Sequence, residues 1–200
     1  RFFAEGGFFT PNRKANLLAI TPKLPVNLPN NDFPLRLNTG RIRDQWHTMT
    51  RTALASQLNQ HISEPFVEIN HKNAKQLNIR NNEIVQVTSK WGEMLGRAVI
   101  NDNCKPDTIF APMHWTQVLS KQGRINPVVN PEVDAFSKQP ESKHTPVNVN
   151  TFQASWHGFV LSRNTIAWPD LDYIVSAKGN DHNRLELAHG TTLNDPRQTM

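Results

Sequence analysis

The chain has 200 residues, enough for one domain with a buried core or for one domain with an extended arm. Its 22 lysines and arginines exceed its 17 aspartates and glutamates, and the formal net charge of +5 suits an anionic ligand but is far below a histone-like excess. The hydrophobic content is 37%, and no apolar run approaches the roughly 20 residues that a membrane-spanning helix needs. We therefore expect no membrane partner.

Cysteine usage limits the chemistry further. Cys104 is the single cysteine, which excludes an internal disulfide framework and a thiolate metal site. This usage is compatible with a reducing compartment, and we expect a cytoplasmic protein. Cys104 lies in the turn-rich stretch NDNCKPD, which favours an incidental loop thiol over a nucleophile. The chain opens without a methionine or a secretory leader, which we interpret as a piece of a longer protein.

The first part of the chain predicts an arm followed by a domain. Residues 1–33 are expected to be an extended arm or linker, because prolines recur at positions 11, 22, 25 and 29 and block long helices. From Pro34 the pattern changes, and PLRLNTG predicts a short alternating strand that ends at Gly40. We expect the compact domain over residues 34–155 and a C-terminal extension over residues 156–200.

Short elements alternate through the predicted domain. RTALASQLNQHI has apolar residues at helical spacing and predicts one or two helical turns before Pro65. FVEIN is a predicted strand whose Asn70 can cap a helix over HKNAKQLNI. IVQVTSK and WGEMLGRAVI are expected to pair as a hairpin around Gly92.

The second half of the chain predicts more strands. TIFAPMHW (residues 108–115) and TPVNVNTFQA (residues 145–154) are predicted strands on either side of a long, proline-rich polar loop. In the extension, GFVLSR, DYIVSAKG and RLELAHG form either two or three short strands or an appendage that docks on a partner. The short helices favour a mixed α/β, β-rich barrel over a doubly wound sheet.

The stretch LNTGRIRDQWHTMTR (residues 37–51) concentrates anion-binding side chains beside an aromatic ring. Gly40 follows a strand, so backbone amides can approach an anion there, and Arg41 adds a permanently charged forked donor. Taken alone, Thr39-Gly40-Arg41 indicates only a surface turn with a solvated arginine. The residues that follow favour a ligand with phosphates and a heterocycle, because they add an indole, an imidazole and two hydroxyls: Trp46, His47, Thr48 and Thr50.

Two further regions carry candidate contacts. His114 and Trp115 are explained equally well by ligand contact and by an indole in the core beside a locally satisfied imidazole. The loop over residues 126–143 offers side chains able to bind the edge of a purine-like or pterin-like ring: Asn126, Asn130, Ser137, Gln139 and Lys143. A polar loop of this kind is usually only solvated, so it supports a ligand together with the other regions rather than alone.

Motifs of several other chemistries are absent. The sequence contains no HExxH, CxxC, GxxxxGK[ST], GxGxxG or GxSxG, and no pair of histidines has an obvious metal-ligand spacing. Asp44, Glu64 and Glu68 do not form a convincing acid–base pair. The sequence therefore predicts neither a catalytic residue nor a metal ligand.

Three separated motifs resemble, in order, the C-terminal molybdopterin-dinucleotide-binding domain of the molybdenum oxidoreductases, in particular bacterial assimilatory nitrate reductase. These motifs are LNTGRIRDQWHTMTR, APMHWTQ and GRINPVVNPEVDAFSKQPESKHTPV. The arm segment FFTPNRKAN resembles the segment that precedes this domain in the same enzymes. The resemblance covers residues 1–163 and becomes vague beyond them.

The resemblance implies a double-psi β-barrel of the aspartate-decarboxylase-like type with short helices and extended terminal arms. Its loops would hold two molybdopterin guanine dinucleotides (bis-MGD) around one molybdenum. Residues at the phosphate or pterin end of one dinucleotide would be Thr39, Gly40 and Arg41. Residues of the pterin wall would be Trp46, His47, Thr48 and Thr50, with His114 as a further contact. Residues of the loop that closes over the cofactor would be Asn130, Gln139 and Lys143.

The resemblance also implies what this chain lacks. The protein ligand to molybdenum, the iron–sulfur cysteines and the catalytic residues would lie in upstream domains of the parent enzyme. Its partners would be those domains and an electron-donor protein or reductase subunit, and the fragment alone would be inactive.

Three alternatives stay open. The chain could be the same domain of another molybdopterin oxidoreductase, such as a formate dehydrogenase. It could be a basic nucleic-acid-binding module, although its cationic residues are dispersed and no recognition helix is predicted, so we expect no nucleic-acid partner. It could also be a fragment with only a structural role, docking on absent catalytic domains.

Overall fold

The structure is a computed structural model that describes residues 2–190. Arg1 of the predicted arm and residues 191–200 of the predicted extension lie outside the described residues. Within the described range, strands predominate: β1 (Leu35–Gly40), β2 (Phe66–Ile69), β3 (Ile84–Thr88), β4 (Glu93–Ile100), β5 (Thr108–Pro112), β6 (Thr145–Thr151), β7 (Trp156–Ser162), β8 (Tyr173–Lys178) and β9 (Asn183–His189). The helices are a 3-10 turn (Thr52–Leu54), α1 (Ser56–Asn59) and α2 (His71–Gln76).

Six strands close into a barrel in the order β1-β5-β2-β4-β3-β6. The pairs β1·β5 and β2·β4 are parallel, and the other neighbours are antiparallel. Because side chains alternate along each strand, one set fills the barrel interior, and this core includes Leu37, Val67, Val85, Ile109 and Val147. The closed barrel with few helices confirms the predicted double-psi β-barrel.

The helix α2 begins where the sequence predicts. The Asn70 side chain accepts a hydrogen bond from the Lys72 N–H at 2.9 Å, which satisfies one free amide of the first turn. The helix ends at Gln76, although the prediction extended it to Ile79. Asn78 has a φ of 54°, and this left-handed conformation ends a right-handed helix.

Strand β5 is shorter than predicted. It ends at Pro112, which pairs with Gly40 in the parallel register, whereas the prediction continued it to Trp115. The next amide, of Met113, donates to the Gly40 carbonyl at 2.9 Å, and the chain then leaves the barrel wall. Proline has no N–H to offer a continuing ladder, so the strand stops and His114 is released from the strand geometry.

The C-terminal segment forms a three-stranded antiparallel sheet in the order β7-β9-β8, while docking of this segment on a partner stays a prediction. One face packs on the barrel, where Tyr173 and Val175 share a core with Phe66 and Leu95. The Tyr173 hydroxyl donates to the Glu64 carboxylate at 2.9 Å. The domain boundaries themselves stay predictions.

The described part of the arm contains neither helix nor strand. A hydrogen bond joins it to the long polar loop, in which the Val26 N–H donates to Glu141 Oε1 at 3.2 Å. Among the helices of residues 2–190, none has the length and apolar character required to span a bilayer.

Candidate functional site

The end of β1 meets the end of the long polar loop. The Thr39 hydroxyl donates to the Ser142 carbonyl at 3.2 Å, and the Lys143 ammonium donates to the Thr39 carbonyl. These partners are 103 and 104 residues apart in the sequence. The fold therefore joins two predicted regions, the Thr39-Gly40-Arg41 turn and the loop that contains Lys143.

Gly40 keeps space open at this junction. A Cβ at this position would lie 2.8 Å from Phe110 Cε2 and 3.8 Å from Lys143 Nζ. A larger residue would push against the aromatic ring and occupy the approach to the lysine. The absence of a side chain thus contributes directly to the shape of the site.

An open cleft of about 530 Å³ lies at the Thr39–Lys143 junction. We call it the cationic cleft, because it carries the charged side chains of Arg41 and Lys143. Its lining residues are Thr39, Gly40, Arg41, Met113, Ile125, Asn126, Val129, Ser142 and Lys143. Two cations beside hydroxyl and amide groups form a donor set that suits phosphate oxygens.

The loop after Arg41 places an indole beside the cationic cleft. Trp46 is 59% exposed, and the Arg41 guanidinium carbon lies 5.4 Å from its ring centroid, within cation–π range. The His47 ring packs edge-on against the same indole, with 4.4 Å between ring centroids. Trp46 and His47 therefore form an exposed aromatic pair that the arginine borders.

A second cleft of about 600 Å³ adjoins the first. The two share Met113 and Asn126, and the second one includes Thr48 and Thr50, whose hydroxyl oxygens lie 3.0 Å apart. We call it the apolar cleft, because the rest of its lining is mostly hydrophobic, including Met49, Ala53, Leu54, Trp115, Val118 and Leu119. A flat ring system with few polar groups would suit this surface.

Two buried donors line the apolar cleft without a partner among the described residues. They are Trp115 Nε1 and Arg124 Nε, and Trp115 is only 3% exposed. Because both atoms are themselves buried, they lie beneath the surface of the cleft, and a bound ligand would contact the exposed groups of the lining instead. The clefts thus fit a ligand that combines anionic phosphates with a heterocycle.

His114 lies behind the aromatic pair instead of facing the clefts. Its side chain is fully buried, Nε2 accepts the Ile42 N–H at 2.9 Å, and Nδ1 donates to the His47 carbonyl at 2.7 Å. Burial lowers the pKa of His114, although the bond to the His47 carbonyl opposes this effect. With both nitrogens engaged and Trp115 in the core, the geometry matches the reading of a locally satisfied imidazole.

The remaining predicted contacts belong to the polar loop. The Asn130 side chain is 2% exposed and donates to the carbonyls of Glu141 and His144 at 3.1 and 2.8 Å, so it holds the loop together. Gln139 is exposed and lines neither cleft. Of the predicted loop residues, Asn126 and Lys143 are therefore the ones that the fold brings into the cationic cleft.

Sequence reasoning missed several lining residues. Met113, Arg124 and Ser142 line the clefts but were not chosen from the sequence. Each lies within one of the quoted motifs and within two residues of a residue that was considered. Their position inside the quoted motifs could have indicated that they line the site. The chemistry of their side chains alone did not distinguish them from other residues of the same types.

The described residues contain no evident reacting group. Burial raises the pKa of the Cys104 thiol to about 11, and the Glu68 carboxylate adds to the effect, so the thiol is not activated as a nucleophile. Within residues 2–190, no three His, Cys, Asp or Glu side chains are grouped so as to hold a metal ion. The arrangement can bind and orient a ligand.

Comparison with known proteins defines the class. Residues 35–146, more than half of the chain, match the family described as molydopterin dinucleotide binding domain. The chain belongs to this family, and it is a molybdopterin-binding domain of the molybdopterin oxidoreductases.

Among individual relatives, a nitrate reductase of Klebsiella oxytoca is 38% identical over 156 residues, which are 78% of this chain and 18% of that protein. The assimilatory nitrate reductase catalytic subunit of Bacillus subtilis is 30% identical over 74% of this chain and 21% of that protein. The F420-dependent formate dehydrogenase subunit alpha of Methanocaldococcus jannaschii is 34% identical over 71% of this chain and 20% of that protein. The chain thus spans about a fifth of the length of these relatives.

A solved structure gives independent support for the fold. Acetylene hydratase from Pelobacter acetylenicus aligns with 60% of this chain and 18% of its own chain, at a TM-score of 0.52 and 13% identity. At this identity the likeness concerns the fold alone.

Proposed function

We propose that this chain is the cofactor-binding domain of a molybdenum-dependent nitrate reductase that reduces nitrate to nitrite, and that it helps to hold bis-MGD. The observation that carries the proposal is the pair of adjoining clefts, which meet at Met113 and Asn126. A cationic subsite beside a mostly apolar one suits the phosphates and a ring system of a dinucleotide better than a single small ligand.

The chain's own residues would bind and orient the cofactor. Arg41 and Lys143 would neutralise pyrophosphate charge, while the Thr39 hydroxyl and nearby amides fix the geometry of the cationic cleft. The Thr48 and Thr50 hydroxyls would meet polar edges of the ring system. When bound, the cofactor supplies the oxygen-atom and electron chemistry.

The nitrate assignment is supported by the relatives named nitrate reductase, which include the protein of highest identity quoted above. The chain spans only about a fifth of those proteins, so substrate contacts, the molybdenum ligand and an iron–sulfur cluster would lie in other parts of the parent enzyme. Its partners would be those parts and an electron-donor protein or reductase subunit. We place the parent enzyme in the cytoplasm, in keeping with the single cysteine.

Replacing Arg41 in the full-length parent enzyme tests the proposal. Arg41→Ala removes one of the two cations of the cationic cleft, and we expect the content of molybdenum and guanine nucleotide per chain to fall before turnover per bound molybdenum does. Arg80→Ala is the matched control, because Arg80 is exposed and lies outside both clefts. Unchanged metal content in Arg41→Ala would rule out the proposed role.

A second candidate is the same domain of a formate dehydrogenase. It is favoured by the 34% identity with the Methanocaldococcus jannaschii subunit. Assays of the purified parent enzyme for reduction of nitrate and for oxidation of formate separate the two candidates. Formate oxidation without nitrate reduction would replace the nitrate assignment while leaving the cofactor-binding role intact.

A further inference from the structure

One imidazole makes two hydrogen bonds to the backbone of the loop between β1 and the 3-10 turn. His114 accepts the Ile42 N–H at 2.9 Å and donates to the His47 carbonyl at 2.7 Å, across sequence separations of 72 and 67 residues. Both bonds end on the backbone of the loop, five residues apart. The side chain of His114 is completely buried, so water does not compete for either bond.

The two backbone partners fix the state of the ring. An amide N–H can only donate, so Nε2 must be unprotonated, and a carbonyl can only accept, so Nδ1 must carry the hydrogen. The pair of contacts is therefore satisfied by one neutral tautomer. No ring nitrogen remains to contact a ligand directly.

The loop bonded to His114 contains two residues in an unfavourable backbone conformation. His47 and Met49 have φ values of 46° and 61°, in the left-handed region that is unfavourable for residues other than glycine. Such backbone persists where the surrounding structure over-determines it. The bond from His114 to the His47 carbonyl acts on the first of these two residues.

The same loop contains the proposed ligand groups. Ile42 directly follows Arg41 of the cationic cleft. His47 lies between Trp46, its partner in the aromatic pair, and Thr48 of the apolar cleft. Fixing Ile42 and His47 thus fixes the directions from which Arg41 and Thr48 approach a ligand. The loop cannot shift as a unit without breaking a bond to His114.

We propose that His114 is a positioning residue for the dinucleotide site. Its hydrogen bonds to the backbone at Ile42 and His47 hold Arg41 and the Thr48–Thr50 hydroxyls in place for the ligand. The inference rests on the proposed cofactor-binding function. It assigns His114 an indirect role through two backbone bonds, in place of a direct contact with the cofactor.

A graded series in the full-length parent enzyme tests the positioning role. His114→Phe keeps a ring of similar size and removes both bonds. His114→Asn places an amide donor where it can reach the His47 carbonyl, and His114→Gln can place an acceptor near the Ile42 N–H, so that each restores one bond. The matched control is His157→Phe, because His157 is exposed and lies in the separate sheet.

Two readouts are needed. The first is the rate at which guanine nucleotide and molybdenum are lost from the purified holoenzyme. Loss should be about 30-fold faster in His114→Phe, the factor for two hydrogen bonds of ordinary net strength, with the Asn and Gln variants in between. The second is amide hydrogen exchange over residues 41–50, which should accelerate in the same order while the barrel strands stay protected, as a check that the domain is folded.

The outcomes separate the two proposals. A wild-type enzyme that holds no guanine-containing pterin overturns the proposed function and, with it, the cofactor role of His114. A normally loaded wild type with an equally well-retained cofactor in His114→Phe overturns only the positioning role. Asn and Gln variants that lose cofactor as fast as the Phe variant also overturn it, because restoring either hydrogen bond would then have no effect on retention.

Discussion

At the scale of single residues, two residues shape the site without offering a side-chain group to a ligand. Gly40 has no side chain where one would meet Phe110, and His114 has no spare nitrogen for a ligand. Both residues therefore shape the clefts without entering them. Their neighbours Arg41 and Lys143 supply the charge.

Gly40→Val is expected to lower both stability and cofactor content. The first carbon of the new side chain would lie 2.8 Å from Phe110 Cε2, so the ring or the end of β1 must move. Overpacking of this kind costs about 1–3 kcal/mol. Thermal unfolding and molybdenum analysis of the parent enzyme measure the two effects, and a variant with unchanged values in both would contradict the close packing at Gly40.

Cofactor retention is expected to depend on pH through His114. Burial holds the pKa of this residue below its ordinary value of 6.5, so the neutral ring is favoured in the folded loop. A freed loop would take up a proton below that pH, and the pair of hydrogen bonds from His114 is therefore complete above about pH 6.5 and weakens as the pH falls. The charged or titratable neighbours Arg41 and His47 also act on the ring.

The measurement is the rate of cofactor loss at pH 7.5, 6.5 and 5.5. For one proton the rate rises at most about tenfold per pH unit. His47→Gln should keep this dependence, whereas His114→Asn should flatten it. Equal slopes in the wild type and His114→Asn would assign the pH effect to another group.

The type of ligand could be predicted from the side chains in the sequence. Which of those side chains line the clefts could be predicted only in part. Arginine, lysine and threonine indicate a phosphate ligand wherever they cluster, which is why Thr39 and Arg41 could be chosen. Asn130 has the same polar character, yet its partners are 11 and 14 residues away, so its burial inside the loop could not be inferred. The sequence around a polar residue does not show which distant backbone groups its side chain will bond.

At the scale of secondary structure, the interface between the barrel and the β7-β9-β8 sheet is marked by a charged cluster. Arg97 on β4 donates to Glu64 at 2.9 Å and also approaches Glu186 on β9. Its guanidinium lies 5.7 Å from the Tyr173 ring centroid. Desolvation on burial raises the pKa of Tyr173 well above its ordinary value, so the hydroxyl stays protonated and donates to Glu64.

Arg97→Met is expected to destabilise the protein by about 2–4 kcal/mol, because it leaves the mostly buried Glu64 carboxylate without its cation, whereas Glu186 keeps its ion pair with Arg184. Arg80→Met is the matched control. Arg80 also pairs with a glutamate, at 2.6 Å, but its side chain is 87% exposed, so its loss should cost at most about 0.5 kcal/mol. Thermal unfolding of the parent enzyme with each variant gives the comparison, and equal shifts would contradict a structural role for the Arg97 cluster.

Elements with a regular pattern were predictable, and those ended by tertiary contacts were not. Alternating residues and a flanking glycine defined β1, and Asn70 defined the start of α2. The end of β5 depends on pairing with Gly40, which lies in a different part of the chain. The apolar run of residues 108–115 predicted a strand that continues past Pro112, because the sequence pattern contains no information about the partner strand.

At the scale of the whole molecule, the charge is positive but spread out. The net charge of +5 comes from cations over the whole chain, and the longest helix within residues 2–190 spans six residues, too short to serve as a recognition helix. Non-specific binding to DNA depends on neutralising many phosphates at once and weakens steeply with salt.

We therefore expect the chain to show at most weak binding to random-sequence duplex DNA at low salt and none at physiological ionic strength. Fluorescence anisotropy with a labelled duplex over 50–200 mM salt measures this. Lysozyme, another small basic protein, provides a reference for binding by net charge alone. Tight binding that persists at the upper salt concentration would favour the nucleic-acid alternative.

The pairing of the barrel strands has a consequence for the order of events during synthesis. Arg41 leaves the ribosome before Lys143 and strand β6, which follow about a hundred residues later, and β6 pairs with both β1 and β3 to close the barrel. Contacts over such separations form late in folding, since a long loop must close first. A nascent chain that ends before residue 143 thus has the arginine without its counterpart, and the barrel can close only after the last barrel strand, β6 (Thr145–Thr151), has been translated.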